Sequence, residues 1–214
     1  MSESHYSAPL RLRVWGDAAL FTRPEMKVER VSYDVCTPSA ARGILEAVLW
    51  KPEMAWRVER IDVLKPIRFQ TVRRNEVGTK AANPHGIDAE DHRQQRASVI
   101  LRDVDYVITA RITLTAKAPP DTNLTKYVEM FRRRAANGQC FHRPCLGTRE
   151  FAADFALVED GDSLPAPIPD SPELGWMLLD IDHAGTAPVP LFFKAKLENG
   201  TLHVPPADSV EVRR

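Results

Sequence analysis

At 214 residues the chain can bury one full hydrophobic core with room for a small second unit, and its 29 Lys/Arg and 29 Asp/Glu cancel to a formal net charge of zero. No apolar run approaches the ~20 residues needed to span a bilayer and no signal-peptide core opens the chain, so a cytoplasmic protein with no membrane partner is expected. Three cysteines, Cys36, Cys140 and Cys145, cannot all pair, and Cys140 and Cys145 lack the second pair that a zinc site needs, so reduced thiols with no metal and no cofactor are expected.

In chain order, Leu10 to Trp15 alternates apolar and basic residues, the pattern of a half-buried strand. Thr37-Pro38-Ser39 opens a helix whose apolar face is Ala41, Ile44, Leu45, Val48 and Leu49, and Lys51-Pro52 closes it. Trp56–Val63 and Ile67–Val72 read as strands joined through Lys65-Pro66. Residues 73–95 are polar, with Gly78, Pro84 and Gly86, and predict a long functional loop. A strand resumes over Arg96–Leu114, and a basic helix follows over 123–137.

That helix sets Val128, Phe131 and Ala135 on one face and fans Arg132, Arg133 and Arg134 over about 200° of the turn. Asn137-Gly138 ends it, because Gly accepts the left-handed conformation that closes the last turn. Arginines at a helix C-terminus complement the dipole, so a solvated helix end and a phosphate-binding surface are both open readings. A further strand is expected near 150–157. After Pro165, Pro167, Pro169 and Pro172 the segments 176–181, 190–197 and 202–204 predict a small antiparallel sheet. The expected fold class is α+β: a ferredoxin-like, RNA-recognition-type domain over 1–160 and a C-terminal β-sheet subdomain over 161–214.

Charge is unevenly spread. Residues 1–149 carry 25 Lys/Arg against 17 Asp/Glu, whereas residues 150–182 carry nine acids and no Lys or Arg. A basic body with an acidic segment points to a polyanionic partner for the first and a docking surface for the second. Arg57, Arg60, Lys65, Arg68, Arg73 and Arg74 extend the basic surface. Trp15, Trp50 and Trp56 have apolar neighbours and are expected in the core. Gly147 would let backbone approach a phosphate or ribose, or would simply form a tight turn, and Arg149 flanks it.

Five motifs in one order, 14–24 (Val-Trp-Gly-Asp-Ala-Ala-Leu-Phe-Thr-Arg-Pro), 37–46 (Thr-Pro-Ser-Ala-Ala-Arg-Gly-Ile-Leu-Glu), Trp50-Lys51-Pro52, Gln95-Arg96 and 146–151 (Leu-Gly-Thr-Arg-Glu-Phe), resemble the CRISPR-associated Cas-five-d family. The resemblance covers nearly the whole chain. It implies a ferredoxin-like domain with a small C-terminal sheet, cleavage of precursor CRISPR RNA within the repeat, and retention of the 5′ handle as a subunit of a subtype I-C Cascade complex in antiviral defence. Partners would then be CRISPR repeat RNA and the other Cascade subunits. A non-catalytic RNA-binding subunit and a non-specific duplex-DNA binder are the alternatives.

Cleavage through the RNA's own 2′-hydroxyl needs a base, an acid and positive charge on the phosphorane, and no metal. The family pattern places a Tyr or His just before Trp-Lys-Pro and a Lys-His pair at the start of the second helix. Leu49, Lys126 and Tyr127 occupy those positions here. Leu49 cannot transfer a proton, and a Tyr of ordinary pKa about 10 is a poor base unless Lys126 and the arginines lower it. The expected catalytic residues are Lys126, Tyr127 and His142, with His92 and Tyr33 as outside candidates. The expected RNA-binding residues are Arg132, Arg133, Arg134, Arg143, Gly147, Arg149, Arg73, Arg74, Arg23 and Lys27.

Overall fold

The protein is described here from a computed structural model covering residues 6–26, 28–79, 86–183 and 185–214. It is an α+β fold, mostly antiparallel sheet with two helices. The elements run β1 (Leu10–Ala19), α1 (Pro38–Val48), β2 (Met54–Val63), β3 (Phe69–Val77), β4 (Arg93–Leu114), α2 (Leu124–Ala136), β5 (Asp154–Val158), β6 (Glu173–Asp182), β7 (Val189–Glu198), β8 (Thr201–His203) and β9 (Val212–Arg213).

One sheet runs β5-β1-β4-β2-β8-β7-β6, with β3 also paired to β4 and β9 to β7. β4 is long enough to serve two partners in turn. Its first half pairs with β3, from Val77↔Arg93 to Phe69↔Leu101, and its second half lies between β1 and β2. Asp103, at φ 52°, stands where the two halves meet, a backbone conformation that Asp tolerates better than most residues.

The long loop expected over 73–95 is shortened at both ends by strand pairing. Arg73–Val77 and Arg93–Gln95 pair along a hairpin whose connection is confined to residues 78–92. The reason is chemical: alternation there is carried by polar residues, Thr71, Arg73 and Asn75 on one side and Arg74 and Glu76 on the other. Ion pairs take the place that apolar contacts would hold. Arg30 and Arg96 meet Glu76, and Arg74 and Arg30 meet Glu150.

β1 buries Leu10, Leu12 and Val14 toward the helices and turns Arg11, Arg13 and Trp15 to the opposite face. α1 starts as expected, with Thr37 accepting from the Ala40 amide, and buries Ala41, Ile44, Leu45 and Val48. The strands after residue 160 join the sheet through β8, where Arg60↔His203 and Asp62↔Thr201 pair, and the Ile168 amide donates to Val63. β6 is tied to α1 by a two-pronged Arg42–Asp180 pair at 2.8 and 2.7 Å.

The acidic stretch 150–182 is partly neutralised by arginines of the basic body, while Glu159, Asp162, Asp170 and Glu173 stay exposed. Asp154 pairs with Arg143, Asp160 with Arg11, Asp180 with Arg42 and Glu150 with Arg74. It folds back over the basic body and neutralises chosen arginines there. No helix among the described residues is long and apolar enough to cross a membrane.

Candidate active site

α2 is built to be held by one face. Asn123 caps its N-terminus by accepting from the Thr125 amide, and Tyr127, Phe131 and Ala135 form the buried stripe, one residue per turn. Val128 packs against the same core as expected, together with Met130, and Tyr127 joins the stripe at 3% exposure. Phe131 meets Trp56 edge-on, with ring centroids 4.7 Å apart. At the other end Gly138 takes φ +63°, its amide donates to Ala135 and the Gln139 amide to Arg134. This double bond pattern closes the helix as its sequence predicts.

The connector 49–53 between α1 and β2 runs alongside this helix, because the last carbonyls of α1 are claimed by groups from afar. The Ala47 carbonyl accepts from the Phe141 amide at 2.8 Å, the Val48 carbonyl from the Arg134 guanidinium at 2.9 Å, and the Leu49 carbonyl from Trp56 Nε1 at 2.9 Å. Leu49 is fully buried, as wall. Trp50 is turned outward and is 57% exposed, so the expectation that it belongs to the core is wrong. Trp56 is buried at 5% exposure and Trp15 is half-buried.

Lys126 and Tyr127 sit side by side in the first turns of α2. Lys126 is exposed, its Nζ 5.5 Å from the centroid of the Tyr127 ring. The Tyr127 hydroxyl is nonetheless shifted upward from the ordinary phenol value, by burial first and then by the Glu53 carboxylate. This is opposite to the expected lowering by cations, because the connector brings Glu53 to Tyr127 while the arginines lie further along the helix. A phenol held neutral in this way keeps its proton and is ill suited to remove one from the RNA.

The remaining candidates separate by position. Arg132 and Arg133 are exposed and enter no ion pair among the described residues, and Arg134 is half-buried on Val48. His142 is exposed beyond the far end of α2, past roughly 16 Å of helix from Lys126 at 1.5 Å per residue. The structure thus does not bring His142 to Lys126. Arg143 pairs with Asp154 at 2.6 Å. Gly147, at φ +89°, packs its backbone on the Leu20 carbonyl, and an added Cβ would lie 2.6 Å from that carbonyl carbon. Its close approach is thus to the chain itself. Arg149 is exposed.

On the hairpin, Arg73 is exposed without an acidic partner, whereas Arg74 is held by Glu150 and lies over the Phe151 ring. Arg23 pairs with Asp34 at 2.8 Å and lies over the Tyr33 ring. Tyr33 is 1% exposed, with its hydroxyl shifted upward, chiefly by burial. His92 is exposed at the open end of the hairpin. Lys27 lies outside the described residues. Two exposed aromatics, Trp50 and Phe141, escaped the sequence reading; the Lys51-Pro52 stop beside Trp50 and the charged neighbours of Phe141 were the available signals.

Comparison with known proteins places this arrangement. The family model Cas_Cas5d, described as CRISPR-associated protein (Cas_Cas5), matches residues 9–205. The chain is 54% identical over 224 residues to a CRISPR pre-crRNA endoribonuclease Cas5d from Mannheimia succiniciproducens, covering 96% of this chain and 98% of that protein. It is 43% identical over 229 residues to a protein of the same name from Thermus thermophilus, covering 97% and 96%. Two solved structures share the fold at 22% identity over 98% of both chains: a functionally uncharacterized protein from Streptococcus mutans, TM-score 0.73, and a CRISPR-associated protein, TM-score 0.74. This chain belongs to the Cas5d family of CRISPR-associated proteins.

Proposed function

We propose that this protein is a CRISPR pre-crRNA endoribonuclease, which cuts repeat RNA by attack of the RNA's own 2′-hydroxyl and then keeps the 5′ handle as a subunit of a subtype I-C Cascade complex. Kinship over the whole chain with two proteins whose names state that endoribonuclease activity carries the reading. The strand order β5-β1-β4-β2, with α1 and α2 side by side, supports a ferredoxin-like core over 1–160 and an appended sheet unit over 161–214.

In this mechanism Lys126 carries the charge of the phosphorane. It stands in the first turn of α2, where the positive end of the helix dipole adds to its own field. Tyr127, kept neutral by burial and Glu53, protonates the leaving 5′-oxygen. Arg132, Arg133 and Arg134 hold phosphates further along the same helix, and Arg73 and Arg149 extend the track. No metal takes part in these steps.

Incubation with repeat RNA in excess EDTA, beside an RNA with 2′-deoxy at the cut, tests the reading. Cleavage in EDTA that the 2′-deoxy abolishes is the expected result. Tight binding without cleavage would instead establish a non-catalytic RNA-binding subunit, a reading favoured by buried, apolar Leu49 at a position where the family carries Tyr or His.

A further inference from the structure

Phe141 is 88% exposed and Trp50 57% exposed, among the largest apolar side chains turned to solvent in the described structure. Leaving such a ring in water forgoes about 2 kcal/mol of burial, and the backbone beneath the rings is anchored. The Phe141 amide is fixed to the Ala47 carbonyl, and Trp50 lies three residues beyond Ala47. Three residues span at most about 10 Å, so the two Cα atoms lie within roughly 15 Å of each other. Between them the Arg134 guanidinium is held on Val48 by one of its nitrogens, leaving its other N–H groups to a ligand.

The chemistry around the rings is cationic. Lys51, Arg133 and His142 are exposed and enter no ion pair among the described residues, and Arg143 is engaged by Asp154. His142 meets Phe141 edge-on, with centroids 6.0 Å apart. Flat rings in a cationic setting are what unpaired nucleobases stack upon, with the cations meeting the intervening phosphates. Aromatic and Arg side chains also occur at protein interfaces, so the test below includes a partner subunit among its outcomes.

We propose that Trp50 and Phe141 are base-stacking platforms that hold unpaired nucleotides of the repeat RNA on either side of Arg134. The inference rests on the RNA-cleaving reading above and adds to it a positioning role for two residues outside the proton-transfer pair. An interval of up to about 15 Å takes at most about four nucleotides at the stacked rise of 3.4 Å, and fewer when the bases are splayed. The strand then continues along α2 from this end toward Lys126, roughly 12 Å of helix away from Arg134.

The test compares the full-length protein with Trp50→Ala, Trp50→Phe, Phe141→Ala, Phe141→Leu and Phe141→Tyr, measuring repeat-RNA affinity and single-turnover cleavage. Each Ala variant and Phe141→Leu is expected to weaken RNA binding by roughly 5- to 150-fold, the range for one stacked base, while Trp50→Phe and Phe141→Tyr stay near wild type. A packing role would treat Leu and Tyr alike. An abasic scan of the RNA adds the pairing: one abasic position should weaken wild-type binding and leave Phe141→Ala indifferent. If wild type binds and cleaves repeat RNA but the Ala variants match it, the stacking inference falls and the endoribonuclease reading stands. If wild type neither binds nor cleaves, the broader reading falls first. Unchanged RNA affinity with lost association to a partner subunit would reassign both rings to a protein contact and overturn the proposal.

Discussion

Tyr127 and Lys126 are adjacent in the chain but live in different media. Lys126 faces water, while Tyr127 is buried against the connector that carries Glu53. With Tyr127 as the acid, its active form is the neutral phenol. That form is fully present below the ordinary value near 10 and is lost only as pH rises through the upward-shifted folded value. Among the described residues no imidazole is paired with Lys126 or Tyr127, so we assign removal of the 2′-proton to solvent hydroxide. Single-turnover cleavage should therefore climb steadily from pH 6 to 9 and turn over only above 10. Tyr127→Phe and Lys126→Ala should each slow it by about 10²-fold or more, with RNA affinity held within about fivefold. A plateau set near pH 6.5 would transfer the acid or base role to a histidine such as His142 and sink this assignment.

At the scale of elements, the β3–β4 hairpin shows how two adjacent arginines of one motif acquire different uses. Strand alternation puts Arg73 on the open side and Arg74 on the side where Glu150 and Phe151 wait. Arg73→Ala should lower the slope of log K against log salt for single-stranded RNA by about 0.7, one lost phosphate contact, whereas Arg74→Ala should leave the slope unchanged. Equal slopes for both variants would mean that the Glu150 pair opens on binding. The sequence could not separate these two residues, since the partner of Arg74 is 76 positions away.

What was legible in this chain was local. Thr37-Pro38 and Gly138 marked helix ends through side-chain and backbone chemistry that acts within a few residues, and β1 and β2 announced themselves by apolar alternation. The hairpin hid because its alternation is polar. Trp50 was misplaced because Val48 and Leu49 before it are buried, while the bonds that turn it outward come from Arg134 and Phe141, more than eighty residues later. Of the site, the Lys126-Tyr127 pair and the arginine triplet were visible, whereas the direction of the Tyr127 shift depended on Glu53 and so on tertiary structure.

For the whole molecule, acidic pairing and sheet continuity act together. Pairing silences Arg11, Arg42, Arg74 and Arg143 and leaves Lys126, Arg132, Arg133, Arg73 and Arg149 unpaired among the described residues, so a chain of zero net charge still offers a cationic track. β2–β8 pairing and Arg42–Asp180 tie the strands after 160 to the strands before it, so the two parts are expected to unfold together. Leu202, fully buried in β8, tests this. Leu202→Ala should cost about 2–5 kcal/mol. Cys36, fully buried in the first unit, supplies a distant reporter once Cys140 and Cys145 are replaced by Ser. If the sheet unfolds as one, the urea midpoint for Cys36 labelling should fall together with the midpoint from circular dichroism. A Cys36 midpoint that stays in place while part of the dichroism signal is lost earlier would show that the strands beyond 160 melt alone.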